Sequence, residues 1–305
     1  MRSQSAYARE DVKRNYKELY EWGRQSLCSA EIPEAELNAR LLLEWCCGTD
    51  RNALLVHGSR TVSVEECDRY RQAVAQRSRR IPLQYITGEQ EFMGLTFVVN
   101  KNVLIPRQDT EILVEEVLRN LHDGMHILDL CTGSGCILLS LLHYSNASTG
   151  IGTDCSEPAL QVARQNAARI LGECAPEEKE CAVFAQGDLF EALDGEEKFD
   201  IIVSNPPYIR TDVIKTLMPE VRDYEPLQAL DGREDGLFFY RRIIGQAGAH
   251  LQGGGMLFLE IGYDQGGPVR LMLENAGYEE TRVVKDLAGL DRVVLGRKKQ
   301  EEHHV

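Results

Sequence analysis

The chain has 305 residues, 43% hydrophobic and 27% charged, as in a soluble globular protein, and this length suits one large domain or two ordinary ones. A formal net charge of −14 disfavours an enzyme of free DNA or RNA unless basic residues cluster locally, and no apolar run is long enough to span a membrane. The N-terminal stretch has no apolar signal core and is too acidic for a transit peptide, so we expect a cytoplasmic protein.

Nine cysteines are scattered along the chain, with Cys46 and Cys47 adjacent, and no CxxC pair occurs. This spacing indicates neither a zinc ribbon nor a thioredoxin-like redox site, and reduced thiols are expected. We therefore predict that the protein holds no metal. Residues 299–305, which include His303 and His304, are predicted to be a solvated tail.

Residues 1–80 are predicted to form a helical bundle. The stretch "AELNARLLLEWCCG" has apolar residues at helical spacing and ends at Gly48, a common helix stop. A second helix, "SVEECDRYRQAVAQRSRR", has Ser63 as a candidate N-cap and acidic residues in its first turn. No residue here suggests catalysis, and we expect the bundle to recognise a partner.

Residues 81–108 differ in composition from the bundle. β-branched and aromatic residues alternate with turn signals at Gly88, Gly94 and an "NKN" sequence. The pattern predicts a β-hairpin that links the bundle to a second domain.

From residue 109 to 298, strand-like and helix-like stretches alternate, for example with a helix over "SEPALQVARQNAARIL". Such alternation predicts βαβ units around a parallel sheet, and the final stretch predicts two further strands. The strand-like segments are "MHILDLC", "TGIGTD", "CAVFAQGD", "FDIIVSN", "GGMLFLEIG" and "YEETRVVKDLAGLDRVVLGRK".

A glycine turn follows the first of these strands, in "ILDLCTGSGCILLSLL". Gly133 and Gly135 permit a tight turn and a close approach of the backbone to a ligand. Leu138 stands where a nicotinamide-binding GxGxxG fingerprint has its third glycine, and no P-loop lysine follows. Asp129, just before the turn, can accept from an ammonium group, which suits the amino-acid part of S-adenosylmethionine.

Two more acids end the next two strands. Asp154 lies 19 residues after Gly135, the spacing at which an acid meets ribose hydroxyls. Asp188 can accept from an adenine amino group, with Leu189 or Phe190 packing on the ring. Each acid alone could merely cap a helix, but three at one sheet edge favour a nucleoside site. The predicted cofactor-binding residues are Asp129, Cys131, Thr132, Gly133, Ser134, Gly135, Asp154, Asp188, Leu189 and Asn205.

The next strand runs into "SNPPYIR". Pro206 and Pro207 cannot donate ladder hydrogen bonds, so the strand ends and leaves Asn205 at the sheet edge where ligands bind. An amide nitrogen is a poor nucleophile because its lone pair is delocalised, and two acceptors on its N–H bonds can turn that pair toward a methyl group. We predict that the Asn205 side-chain oxygen and the Pro206 carbonyl are these acceptors, and that Tyr208 forms an apolar wall.

Asn205, Pro206 and Tyr208 are thus the predicted catalytic residues, and Pro207 joins them in substrate binding. No strong general base is required, because the proton can leave once the nitrogen is cationic, and orientation with exclusion of water supplies most of the catalysis. Read alone, the turn could simply terminate a strand with a locally bonded asparagine. Beside the glycine turn and the acids, it favours methyl transfer to nitrogen.

"NPPY" after one strand and "DLCTGSG" after an earlier one resemble the class I methyltransferases that act on planar amide or exocyclic amino nitrogens. Nearly the whole chain is similar, more narrowly, to the PrmC/HemK family of protein-(glutamine-N5) methyltransferases. Further matching segments are "PLQYITGEQEFMGLTFVVNKNVLIPRQDTE", "YEPLQALDGREDGLFFYRRI", "LEIGYDQ" and "DLAGLDRVVLGR". The chain departs from that family at Gln108 and Asp109, where proline and glutamate are frequent, and at Cys131 and Arg233, where glycine is frequent.

The resemblance implies an α/β fold with a Rossmann-like class I methyltransferase domain (a seven-stranded mixed sheet), an N-terminal helical bundle and a β-hairpin linker. It implies S-adenosylmethionine as methyl donor and, as substrate, the glutamine of the Gly-Gly-Gln motif of a peptide chain release factor, which the bundle helps to hold. We expect a monomer that forms no stable complex with nucleic acid and none with a membrane.

Three other functions stay open at the level of sequence. A glutamine methyltransferase of a ribosomal protein would share the same motifs. An N6-adenine methyltransferase of DNA or RNA uses a similar turn, but the net charge and the lack of a basic, aromatic-rich recognition segment count against it. A binding protein that keeps the fold without turnover would not need the intact turn from Asn205 to Tyr208.

Overall fold

The structure is a computed structural model that describes residues 14–172, 181–193 and 195–300. It divides into two compact units, Met1–Thr87 and Gly88–Val305. The first thirteen residues of the predicted bundle, and residues 301–305 of the predicted tail with both of its histidines, lie outside the described residues. Within the described ranges, no helix has the length and apolarity needed to cross a membrane.

The smaller unit is helical, which confirms the prediction for this region. The N-cap Ser63 and Glu66 form a reciprocal capping box, and Gly48 ends a helix with a left-handed φ of 56°. At Gly23 an added Cβ would fall 1.9 Å from the hydroxyl of the buried Tyr70, so only glycine allows this close packing. The helices are α1 (Tyr16–Ser29), α2 (Ala35–Cys47), α3 (Arg51–Val56), α4 (Val64–Arg77) and α5 (Leu83–Thr87).

The larger unit begins with an antiparallel hairpin, β1 (Glu89–Phe92) and β2 (Leu95–Val98). The strands are shorter than the stretch predicted for them, because α5 occupies its first residues. The turn at Met93 is held from both sides: its N–H donates to Glu111 at 2.7 Å and its carbonyl accepts from the Tyr144 hydroxyl at 2.6 Å. These bonds hold the hairpin against Glu111 and Tyr144, which lie later in the same unit.

The rest of the larger unit is an α/β sandwich around one sheet. Helices cover both faces, as the alternation of strands and helices predicted. Its elements are α6 (Gln108–Leu118), β3 (His126–Leu130), α7 (Cys136–His143), β4 (Thr149–Asp154), α8 (Glu157–Ile170), β5 (Ala182–Gln186), β6 (Phe199–Ser204), α9 (Thr211–Ile214), α10 (Pro219–Arg222), α11 (Phe238–His250), β7 (Leu251–Glu260), α12 (Gly266–Asn275), β8 (Glu279–Lys285) and β9 (Asp291–Arg297).

The sheet has seven strands in the order β5-β4-β3-β6-β7-β9-β8. The first five are parallel, and β9 runs antiparallel to both of its neighbours. The predicted seven-stranded mixed sheet is therefore confirmed. The chain moves outward from β3 to β5 and then returns to β6, so the strand order reverses between β3 and β6. Open α/β sheets bind their ligands beside such a reversal, at the carboxyl ends of the strands.

Alternating side chains of the strands fill two hydrophobic clusters, one on each face of the sheet. In β3, Ile127 belongs to the cluster that includes α6 and α7, whereas Leu128 and Leu130 belong to the cluster that includes α11 and α12. Each fully buried side chain of this size stabilises the fold by about 1.5–3 kcal/mol relative to exposure. Burial on both faces fixes the strand register and thereby the places where the strands end.

Candidate active site

A cavity opens at the carboxyl ends of β3 to β6, beside the reversal of strand order. The space between its atoms is about 670 Å³, with the open solvent at its mouth included. Its lining comes entirely from the larger unit. The lining residues are Asn102, Val103, Leu104, Cys131, Gly133, Thr153, Asp154, Cys155, Ala159, Gly187, Asp188, Leu189, Asn205, Pro207, Pro226, Gln228, Ala229 and Phe239.

The glycine turn brings bare backbone to this cavity. Gly133 has a φ of 56°, and an added Cβ would meet no atom within 4 Å, so a ligand can approach the main chain here. Gly135 serves packing instead, because an added Cβ would lie 3.3 Å from Ala163 of α8. Cys131 also adopts a left-handed φ, of 60°, although it carries a side chain. Cys131 lines the cavity, and burial raises the pKa of its thiol well above the ordinary value.

Asp154 lines the cavity and fixes two turns at once. Its Oδ2 accepts from the Gly133 N–H at 3.0 Å, and its Oδ1 accepts from the Ser156 N–H at 2.9 Å. Burial raises the pKa of this carboxyl, and the two backbone hydrogen bonds act in the opposite direction. Each carboxylate oxygen keeps a further lone pair, so Asp154 can still accept from ligand hydroxyls.

Asp188 is held by a partner that the sequence did not suggest. Arg242 of α11 donates to both oxygens of the Asp188 carboxylate, at 3.0 and 2.9 Å. The Arg242 guanidinium also lies 5.6 Å from the centroid of the Phe238 ring. The bidentate pair limits the orientations of a carboxylate at the cavity wall. Leu189 follows it with a φ of 58° and lines the cavity, whereas Phe190 stacks on His250 and does not.

Asp129 does not reach the cavity. It is fully buried, Thr132 donates to its Oδ2 at 2.6 Å, and its Oδ1 has no hydrogen-bond partner among the described residues. Burial raises the pKa of Asp129 to about 7. Two of the three predicted acids therefore meet at the cavity. Thr132, Ser134 and Gly135 are also absent from its lining, although they belong to the same turn.

The turn after β6 places Asn205 and Pro207 in the cavity wall, but not Pro206 or Tyr208. Asn205 Nδ2 donates to Thr110 Oγ1 at 3.3 Å, and the Tyr208 hydroxyl donates to Glu260 Oε1 at 3.3 Å. The roles predicted for these residues in catalysis and in binding remain predictions.

The backbone of Tyr208 is closely confined. Gln265 Nε2 donates to its carbonyl oxygen at 3.0 Å. An added Cβ on Gly232 would fall 2.7 Å from Tyr208 Cα, and one on Gly236 would fall 2.5 Å from Tyr208 O. Two glycines and a glutamine therefore hold the turn in one conformation.

Sequence reasoning missed Thr110, Arg242, Glu260 and Gln265. A signal existed for Glu260, because an acid interrupts the apolar run "MLFLEIG" at the end of a strand. The register pairs Ser204 with Leu259, which brings Asn205 and Glu260 to neighbouring positions. Glu260 is fully buried, and burial raises its pKa from 4.5 to about 7, against hydrogen bonding with Thr110 and the charge of Arg292.

The charges of the cavity suit a cation. Among the described residues that line it, Asp154 and Asp188 are the only acidic or basic side chains. Arg242 offsets the charge of Asp188, so Asp154 contributes most of the negative potential at this wall. A sulfonium or an ammonium group fits such a wall better than the pyrophosphate of a dinucleotide. Together with the exposed backbone at Gly133, this arrangement fits S-adenosylmethionine. The described residues contain no group of three or more His, Cys, Asp or Glu side chains placed to hold a metal ion.

Comparisons with known proteins agree with this architecture. The model of the PrmC N-terminal domain matches residues 18–88, and that of the methyltransferase small domain matches residues 107–220. A methyltransferase structure from Pyrococcus furiosus superimposes with a TM-score of 0.51 at 17% identity, over 74% of this chain and 99% of that one, which shows the class I methyltransferase fold.

Curated relatives match over nearly their full length. The release factor glutamine methyltransferase of Geobacter sulfurreducens is 42% identical over 92% of this chain and 96% of its own. The enzyme of that name from Clostridium botulinum is 40% identical over 92% of this chain and 99% of its own. The chain thus belongs to the family of S-adenosylmethionine-dependent release factor glutamine methyltransferases.

Proposed function

We propose that this protein transfers a methyl group from S-adenosylmethionine to the side-chain amide nitrogen of the glutamine in the Gly-Gly-Gln motif of a peptide chain release factor. One observation carries the proposal: Asn205 lies in the wall of a cavity whose only acidic or basic lining groups, in the described part of the chain, are two carboxylates. A planar amide and a cationic methyl donor are the partners that such a wall can bring together.

The lining supports an assignment of the residues that hold the donor. We assign Asp154 to the ribose hydroxyls, Asp188 and Leu189 to the adenine, and the backbone at Gly133 to the amino-acid part. When bound, S-adenosylmethionine supplies an electrophilic methyl carbon whose bond to sulfur breaks as the amide nitrogen attacks.

The chain's own groups orient that amide. The Asn205 side-chain oxygen and the Pro206 carbonyl accept from its two N–H bonds, and this turns the nitrogen lone pair toward the methyl group. The prolines and the confined Tyr208 backbone keep both acceptors in place before substrate arrives, so little reorganisation is needed during reaction. Exclusion of water and orientation then lower the barrier without a strong general base.

The proposal includes a partner and a location. The smaller unit, which matches the PrmC N-terminal domain, helps to hold the release factor. The enzyme works as a monomer in the cytoplasm, where translation ends, and forms no stable complex with nucleic acid or membrane.

Labelled S-adenosylmethionine provides the test. The protein is incubated separately with a purified release factor, with a release factor whose Gly-Gly-Gln glutamine is replaced by alanine, with ribosomal proteins and with DNA. We expect label only on the unaltered release factor. Label on a ribosomal protein or on DNA instead would favour the alternatives, and tight binding of NAD in calorimetry would overturn the choice of cofactor.

A further inference from the structure

Two polar groups of the turn after β6 are anchored to buried residues of other elements. Asn205 Nδ2 donates to Thr110 Oγ1, in the first turn of α6, and Thr110 is 2% exposed. The Tyr208 hydroxyl donates to Glu260, the last residue of β7, which is 1% exposed. Neither Thr110 nor Glu260 lines the cavity, so both can act on a bound substrate only through the turn.

The contact with Thr110 meets one particular end of the Asn205 amide, because the Thr110 oxygen lies 3.3 Å from Nδ2. An amide NH₂ can only donate hydrogen bonds, whereas a hydroxyl also has lone pairs with which to accept. Thr110 therefore presents a lone pair to the NH₂ end of the amide.

We propose that Thr110 is a positioning residue that sets which end of the Asn205 amide faces the substrate. The inference rests on the function proposed above. With Nδ2 held by Thr110, Oδ1 is the end left to accept from the substrate N–H. The reversed amide would set two donors against each other and remove one of the acceptors that orient the substrate nitrogen.

Substitutions at Thr110 separate this role from simple packing. Thr110→Val keeps the shape and removes the hydroxyl, whereas Thr110→Ser keeps the hydroxyl and removes a methyl group. We expect kcat for release factor methylation to fall about tenfold or more in the valine variant, since preorganised polar groups have effects of about a hundredfold. The serine variant should stay within about threefold of wild type. S-adenosylmethionine affinity by calorimetry should change less than about twofold in both variants.

A second readout needs neither cofactor nor substrate. Hydrogen exchange of the Asn205 side-chain NH₂, followed by ¹⁵N NMR and assigned with an Asn205→Ala variant, reports whether Nδ2 is hydrogen-bonded. Exchange should speed up about tenfold in Thr110→Val and return to the wild-type rate in Thr110→Ser. Ser140→Ala is the matched control, because Ser140 carries a buried hydroxyl without a hydrogen-bond partner in the described structure.

The outcomes are distinguishable. A valine variant with wild-type kcat and wild-type exchange overturns the proposal. A serine variant as impaired as the valine variant in both measurements does so too, because the hydroxyl would then not be the group that matters. If the wild-type protein methylates no release factor, the proposed function fails, while the exchange rates still decide whether Thr110 holds the amide.

Discussion

Asn205 combines a ligand-facing position with a fixed side chain, and its replacement should therefore affect turnover more than binding. Asn205→Ala removes an acceptor and leaves a substrate N–H unpaired. Asn205→Asp keeps an acceptor but adds a negative charge that stabilises the cationic reactant more than the transition state, in which that charge is being lost. We expect both variants to lower single-turnover rates with a release factor by at least about a hundredfold.

Titrations with S-adenosylmethionine test the second part of this prediction, which concerns cofactor binding. In the alanine variant, the affinity for S-adenosylmethionine should fall much less than the turnover. Asn146→Ala, at an exposed asparagine, is the control and should match wild type in both assays. Near-normal turnover in Asn205→Ala would mean that the turn after β6 serves only to end a strand.

Glu260 makes folding stability depend on pH. Its carboxyl has a pKa of about 7 in the folded protein and about 4.5 when unfolded, so between these values the folded state binds more protons. The contribution of Glu260 to stability is therefore full below about pH 4.5 and is lost as the pH rises through 7. Burial is the main cause of the raised pKa, and Thr110, Arg292, Tyr208 and Asp109 are the polar and charged groups that modify it.

Glu260→Gln removes this titration. Relative to the variant, the wild type should lose up to about 3 kcal/mol of unfolding free energy between pH 4.5 and pH 8. This is the free energy that corresponds to a pKa change from 4.5 to about 7. Urea denaturation across this range measures the difference. A difference that does not change with pH would show that Glu260 is not titrating there.

At the level of single residues, local patterns predicted some of the cavity and missed the rest for a physical reason. Asp154 is the last residue of β4, Asn205 follows β6 by one residue and Asp188 follows β5 by two, so chain position alone placed them at one edge. Asp129 lies inside its strand, one residue before the end, and both faces of that strand are covered, so its side chain is buried. Thr110 and Glu260 meet the turn only through strand register and helix packing, which no local pattern encodes.

At the scale of helices and strands, one side chain of α8 holds the hairpin in place by hydrogen bonds to its backbone. Asn166 is fully buried, accepts from the Val98 N–H at 2.7 Å, and donates to the carbonyls of Val98 and Ser134 at 3.1 and 2.9 Å. It thereby joins β2 to the glycine turn. Asn166→Ala leaves three backbone groups without this partner, and each buried unsatisfied group costs about 1–3 kcal/mol.

We therefore expect Asn166→Ala to lower the unfolding free energy by about 3 kcal/mol or more in urea denaturation. Arg164→Ala, at an exposed position of the same helix, is the control and should change it by less than about 1 kcal/mol. A loss at Asn166 no larger than the loss at Arg164 would contradict the structural role assigned to this side chain.

The order and type of the main elements were predictable because each strand is a short apolar run between turn signals. "TGIGTD" coincides with β4, while β7 starts three residues before its predicted segment. The helix α5 was not predicted inside the presumed linker, since a five-residue helix has too little periodicity to detect. The number of strands and the mixed character of the sheet came from the family resemblance. The order of the strands was not predicted, because local patterns do not determine which strands pair.

At the scale of the whole molecule, every residue that lines the cavity belongs to the larger unit, which also has hydrophobic clusters of its own. Removal of residues 1–87 should therefore leave a folded protein that binds S-adenosylmethionine within about threefold of the full chain. Methylation of an intact release factor should fall by at least about tenfold, since about 1.4 kcal/mol of docking energy corresponds to that factor.

Calorimetry and methylation assays on the truncated protein, with circular dichroism to establish folding, provide the measurement. A short glutamine peptide is the control substrate, and the truncation should affect its methylation much less. A truncated protein that folds and methylates the release factor as efficiently as the full chain would remove the recognition role from the helical unit.

The two carboxylates in the cavity wall also bear on what happens after each turnover. The methyl donor carries one positive charge more than the thioether that remains, so the wall attracts the reactant more strongly than the spent product, chiefly through Asp154, because Arg242 offsets the charge of Asp188. Product inhibition should accordingly be weak at low ionic strength and grow as salt screens the carboxylates. The ratio of the two dissociation constants, measured at low and at high salt, would show how far the cavity favours release of its own product.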